Sequence, residues 1–181
     1  MRVISGVARG RKLKEPQGAK IRPTSDKVKE SIFNIIQFDI EGRRVLDLFA
    51  GSGQIGIEAL SRGAKNVVFV DLAADAIKLI RENLKICGLS EMASVYARDA
   101  IRFLEGDEKF DLIFIDPPYD SKLADIAISK IVEFDKLNIN GIIISEAKVD
   151  VTTPEVAQPY TLQKEYKYGG VKISKYTREP E

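Results

Sequence analysis

The strongest constraint on how this chain folds is a set of short runs that are apolar at nearly every position, with helical periodicity between them. Val45-Leu46-Asp47-Leu48-Phe49, Asn66-Val67-Val68-Phe69-Val70-Asp71 and Phe110-Asp111-Leu112-Ile113-Phe114-Ile115-Asp116 are the clearest. A strand that is apolar on both sides must be covered on both sides, as in a parallel sheet flanked by helices. A helix to about Arg62, stopped by Gly63, separates the first two runs. The next helix carries Ile77, Ile80, Leu84 and Cys87 on one face and stops at Gly88, which makes Cys87 a core residue. Ala93–Ala97 reads as a short third strand, and Asp99 opens a helix carrying Ile101 and Leu104. A helix over about residues 122–134 leads to a fifth strand, Gly141–Ser145. Leu162–Tyr166 and Val171–Tyr176 alternate around Gly169-Gly170, an antiparallel hairpin. Five β–α units closed by that hairpin predict an α/β fold with a doubly wound sheet.

The N-terminal stretch is of another kind. Arg2–Ser5 and Lys12–Lys14 flank Gly6 and Gly10, predicting a short hairpin with its basic residues outward. Pro16, Gly18 and Pro23 mark a loop, after which Thr24 or Ser25 caps a helix to about Gln37. Its apolar face is Val28, Ile32, Ile35 and Ile36. Residues 1–30 hold nine basic and three acidic side chains, while the rest of the chain carries an excess of five acids. Such polarity suits a basic arm offered to a polyanion, with a merely solvated surface as the alternative.

Composition removes several function classes. With no histidine, His-based triads and His-rich zinc sites are excluded, so catalysis falls to carboxylates, backbone groups or a cofactor. A single cysteine forms no internal disulfide and fits a reducing, cytoplasmic setting. No apolar run approaches the roughly 20 residues of a membrane span. The opening Met1–Gly6 lacks the apolar stretch of a secretory signal.

Gly51-Ser52-Gly53-Gln54-Ile55-Gly56 fits G-x-G-x-x-G between a strand and a helix, with Asp71 ending the next strand 18 residues past Gly53. Glycines let backbone approach a ligand closely, and a carboxylate at the second strand can bind ribose hydroxyls. That much fits NAD, FAD or S-adenosylmethionine, or a plain tight turn. Asp47 separates them. At the end of the first strand it points into the ligand crevice, where it repels a pyrophosphate but suits a cationic sulfonium amino acid. A structural cap is its plainer role. Asp99 is a helix N-cap that can also accept the amino group of an adenine, with the Ala100 N–H facing a ring nitrogen.

Asp116-Pro117-Pro118-Tyr119 is the sharpest signal, at the strand edge where doubly wound sheets bind ligands. Two prolines stiffen the turn and remove two donors, leaving an acceptor-rich wall. An exocyclic amine on a nucleobase is a poor nucleophile because its lone pair is delocalised into the ring. Accepting its hydrogens at the Asp116 carboxylate and the Pro117 carbonyl favours a pyramidal nitrogen aimed at a methyl donor. Tyr119 can stack on the base.

On these residues the chain resembles class I S-adenosylmethionine-dependent amino-methyltransferases. Met1–Gly6, Arg9-Gly10-Arg11-Lys12-Leu13, Arg22-Pro23-Thr24, Asp26–Glu30, Gly56–Gly63 and Tyr168-Gly169 narrow the resemblance to the bacterial RsmD family, essentially end to end. The resemblance implies a Rossmann-like, seven-stranded sheet with an N-terminal hairpin and helix extension. Residues 1–40 would be the RNA-facing extension and 41–181 the methyltransferase domain. It also implies transfer of a methyl group to the N2 of a guanine in 16S ribosomal RNA, free or in a partly assembled small subunit. Asp47, Phe49, Gly51, Gly53, Asp71, Asp99 and Ala100 would line the cofactor, and Asp116, Pro117 and Tyr119 would hold the base. Arg9, Arg11, Lys12, Arg22 and Thr24 would meet RNA. A cytoplasmic monomer with no metal and no membrane association is expected. The competing readings are a DNA adenine-N6 methyltransferase, which shares Asp-Pro-Pro-Tyr, and a non-catalytic RNA chaperone on the same fold.

Overall fold

The structure, a computed structural model, describes residues 1–16, 25–118 and 122–180 of the chain. After an N-terminal arm, α1 (Asp26–Ile35) precedes β1 (Arg44–Leu48), α2 (Gln54–Ser61), β2 (Asn66–Asp71) and α3 (Ala74–Cys87). β3 (Ala93–Ala97), α4 (Ala100–Phe103), β4 (Phe110–Ile115) and α5 (Leu123–Glu133) follow, then β5 (Leu137–Lys148), β6 (Tyr160–Tyr168) and β7 (Val171–Arg178). The seven strands form one sheet in the order β3-β2-β1-β4-β5-β7-β6. It is parallel from β3 to β5, and β7 runs antiparallel to both β5 and β6. The strand order reverses between β1 and β4, which puts the ligand crevice outside their carboxyl ends.

Several expectations need correction. There are four β–α units rather than five, because β5 runs on through residues 149–159 to the terminal hairpin with no helix between. β5 is also much longer than Gly141–Ser145. Its first half is exposed at Asn138, Ile139 and Asn140, so it lacks the nearly uniform burial of β1, β2 and β4. Ser25 is the cap of α1, its Oγ accepting the Val28 N–H at 3.3 Å, and the helix ends at Ile35, short of Gln37.

The sheet carries a core cluster on each side. One, including Ile32, Phe33, Ile57, Phe69, Phe114, Ile144 and Ile173, lies under α1, α2, α3 and the arm. The other, including Leu46, Leu48, Ile115, Ile128 and Tyr176, lies under α4 and α5. α2 presses so closely on β2 that a methyl group at Gly56 would sit 2.3 Å from the Phe69 ring.

The arm makes a single antiparallel bridge, Arg2 to Lys12, rather than a hairpin of paired strands. What holds it is α2. Ile4 and Ser5 donate their N–H groups to the two carboxylate oxygens of Glu58, at 2.8 and 3.0 Å. Val7 donates to the Ser61 carbonyl and Ala8 to the Ser61 hydroxyl, at 2.8 and 2.9 Å. Glu58 is fully buried, paired with Arg62 at 2.8 Å and with the buried Lys29 at 3.7 Å. Burial pulls the Lys29 ammonium below its usual range, against the opposing pull of Glu58. Arg9, Arg11 and Lys12 stay exposed, as the sequence leads one to expect. Among the described residues no helix is long and apolar enough to cross a membrane.

Candidate active site

The turn after β1 is built from left-handed backbone. Phe49, Gly51 and Gly53 have φ of 67°, 55° and 75°. A bulky residue such as Phe49 seldom adopts that conformation, and local strain of this kind concentrates at functional sites. Asp71 holds the turn open by accepting the Gly51 N–H at Oδ2, 2.8 Å, and the Ala73 N–H at Oδ1, 2.9 Å. Both carboxylate oxygens therefore serve the backbone, and each keeps a second lone pair for a hydroxyl. In front of Gly51 the space is open: an added methyl group meets nothing within 4 Å. Behind the turn the buried Asn83 donates to the Ser52 carbonyl at 3.0 Å and also grips both backbone groups of Lys14. Neither Asn83 nor Glu58 stands out in sequence, since a single polar residue on a helix ordinarily reads as solvent-facing.

Asp47 lies one residue inside the end of β1, paired in register with Phe114 of β4 and Phe69 of β2. It is buried and accepts the Gly56 N–H at 2.9 Å, so the structural cap is real. Its carboxyl is nevertheless pushed up to about 8, chiefly by burial. The Gly56 bond opposes that shift, and the Asp116 and Asp71 charges add to it. The Asp47, Asp71 and Asp116 side chains thus lie near one another at the sheet edge. Asp99 caps α4, its Oδ1 accepting the Arg102 N–H at 2.9 Å, and Ala100 is buried beside it.

β4 ends at Ile115, opposite Leu48 of β1 and Ser145 of β5. Asp116 follows, half-buried, then the buried Pro117 and the exposed Pro118. The two prolines border a cleft of about 350 Å³ whose other walls include Ser145 and Glu146 of β5 and Asp125 of α5. Asp47, Phe49, Gly51, Gly53, Asp71 and Asp116 thus lie along the carboxyl ends of β1, β2 and β4, with Asp99 and Ala100 following the neighbouring β3. Tyr119, Arg22 and Thr24 lie outside the described residues. Among the described residues no group of three or more acidic or cysteine side chains is arranged to hold a metal ion.

Known proteins share this architecture. Residues 1–177 match the family model described as Conserved hypothetical protein 95. Ribosomal RNA small subunit methyltransferase D of Haemophilus influenzae is 39% identical over 182 residues, covering 97% of this chain and 93% of the relative. The solved Escherichia coli chain yhhF superposes with a TM-score of 0.90 at 31% identity, covering 100% of this chain and 99% of its own length. An RNA methyltransferase from Salinibacter ruber, solved with S-adenosyl-L-homocysteine, shares the fold at a TM-score of 0.67 and 17% identity, over 88% of this chain and 95% of that one. The chain belongs to the Conserved hypothetical protein 95 family, the RsmD family of small-subunit ribosomal RNA methyltransferases.

Proposed function

We propose that this chain transfers the methyl group of S-adenosylmethionine to the exocyclic N2 of a guanine in small-subunit ribosomal RNA. The observation that carries the reading is the juxtaposition of the acceptor-rich Asp116-Pro117-Pro118 turn with the buried Asp47 across the β1/β4 switch point. Family membership and the curated relatives support methylation of ribosomal RNA.

The crevice fits the cofactor. A buried carboxylate disfavours its own charge unless a cation comes to it, and S-adenosylmethionine brings an ammonium and a sulfonium. A dinucleotide pyrophosphate would add negative charge beside Asp47, Asp71 and Asp116. Asp47 would face the ammonium, Gly51 and Gly53 let the ligand approach the backbone, Asp71 would take ribose hydroxyls and Asp99 with Ala100 the adenine. S-adenosylmethionine supplies an electrophilic methyl carbon on a cationic sulfur.

The rest is positioning by the chain. Asp116 and the Pro117 carbonyl accept the amine hydrogens and turn the nitrogen lone pair toward the methyl, so the reactants meet in near-attack geometry. As the N–C bond forms and the C–S bond breaks, positive charge grows on nitrogen beside the Asp116 carboxylate, which stabilises it. One proton then leaves the methylated nitrogen for Asp116 or water. An aryl ammonium is acidic enough to need no stronger base, in keeping with a chain that has no histidine. The family pattern assigns Tyr119 to stacking on the base, and Arg22 and Thr24 to the mouth of the pocket. The base must be splayed from its stack to reach this edge.

The test supplies labelled methyl donor to small subunits with their proteins retained or removed, then maps the modified nucleotide. Label on guanine N2 is expected; label on an adenine, or none at all, overturns the reading.

The exposed Arg9, Arg11 and Lys12 give the arm its part. Reversing all three charges is expected to weaken RNA binding and flatten its salt dependence, each lost phosphate contact lowering the log–log slope by roughly 0.7–0.9. Filter binding across a salt series measures it. An unchanged slope means that the arm faces solvent.

A further inference from the structure

We infer that Glu146 is the residue that selects guanine, accepting the N1–H of the base whose N2 amine lies at Asp116; the inference rests on the methyl-transfer reading above. β4 and β5 run parallel with Ile113 opposite Ile143, Phe114 opposite Ile144 and Ile115 opposite Ser145. The next residues outward are Asp116 and Glu146, side by side at the ligand edge, with neighbouring strands about 4.7–4.9 Å apart.

Strand alternation then decides which way each carboxylate faces. Phe114 and Ile144, two residues back on each strand, belong to the same core cluster, the one under α1 and α2. Ile173, opposite Glu146 on β7, belongs to that cluster too. Glu146 therefore shares the sheet face of Asp116 and Asp47. It is 5% exposed. Apolar residues, Ile142 and Ile144, fill the positions inward of it on the same face.

The chemistry of the two purines supplies the role. In guanine the amine is flanked by N1–H, so that edge presents donors side by side. In adenine the amine is flanked by an N1 lone pair. Adjacent acceptors on β4 and β5 match the first and oppose the second. Asp116 serves any exocyclic amine; Glu146 distinguishes which ring carries it.

The test uses small-subunit ribosomal RNA carrying either guanosine or 2-aminopurine at the mapped position. 2-Aminopurine keeps the amine at C2 but has a lone pair at N1. The wild type is expected to prefer guanosine by at least 100-fold in kcat/KM. Glu146→Gln, whose amide can donate to that lone pair, is expected to lower the preference at least 30-fold, through a fall on guanosine and a rise on 2-aminopurine. S-adenosylhomocysteine affinity should stay within threefold.

If the wild type methylates guanosine but treats 2-aminopurine within threefold of it, the inference is overturned without any variant. It is overturned equally if a folded Glu146→Gln protein keeps the wild-type preference. Failure to methylate guanosine at all, with label on adenine or nowhere, instead overturns the methyl-transfer reading and the inference with it. If Glu146→Gln does not fold, as judged by its melting transition, the wild-type comparison still decides.

Discussion

Asp116→Ala is expected to lower kcat by about 10²–10³-fold, the scale on which loss of one preorganised charge-stabilising group is felt. Affinity for S-adenosylhomocysteine should stay within threefold. The two readouts separate because Asp116 lies past the end of β4, where the proposed function puts the base, while the backbone and Asp71 assigned to the cofactor belong to the β1 and β2 ends. Alanine removes both an acceptor for the amine hydrogen and the negative charge beside the developing cation. Asparagine at the same position would keep an acceptor and lose the charge, so Asp116→Asn should fall between alanine and wild type. Single-turnover methylation with saturating RNA isolates the chemical step from binding. A variant that retains more than a tenth of wild-type kcat would remove Asp116 from the reaction, and with it the reason for the two prolines that follow.

Much of this crevice could be read from residue order, and the limits of that reading are physical. β2 begins and ends where the sequence indicates because its uniformly apolar run, Val67–Val70, meets the polar Asn66 and Asp71 at its two ends. α3 stops at Cys87 because Gly88 takes the left-handed conformation at φ 69°. β5 is the exception, since its outer residues include the polar Asn138, Asn140, Glu146 and Lys148, which break its apolar run on both sides. The neighbourhood of Asp116 and Glu146 follows from strand order, and order is a property of the whole sheet rather than of any segment. Residue order alone puts carboxylates at the ends of β1, β2 and β4; only the sheet puts β4 between β1 and β5. The arm shows the same limit. Glu58 and Lys29 would be assigned to solvent by type, yet both are buried because the arm's backbone N–H groups and carbonyls close over them.

Asp47→Asn is expected to make the protein more stable and less able to bind its cofactor, with both effects growing as pH rises. The sign follows from the shift. The Asp47 carboxyl ordinarily titrates at 3.8 and is pushed up to about 8 in the folded chain, chiefly by burial. Below about pH 4 it is neutral whether the chain is folded or not, and its contribution to stability is fully present. Between about pH 4 and 8 the unfolded chain releases the proton while the folded chain holds it, so that stability is progressively lost. Above pH 8 the loss is complete and is on the order of 5 kcal/mol. Asparagine keeps an oxygen for the Gly56 N–H, which Asp47 accepts at 2.9 Å, and carries no charge to desolvate. Melting temperatures of the two proteins should therefore coincide near pH 4 and separate toward pH 9, where the variant should gain roughly 10 °C or more. In the proposed site the same charge faces the cofactor's cation. Wild-type affinity for S-adenosylmethionine should rise from pH 6 to 8 as binding draws the proton off Asp47, and the variant should bind weakly with no such rise. A melting difference independent of pH, or a variant that binds the cofactor as the wild type does, would mean that Asp47 is only the cap of the Gly56 N–H and that the cation is held elsewhere.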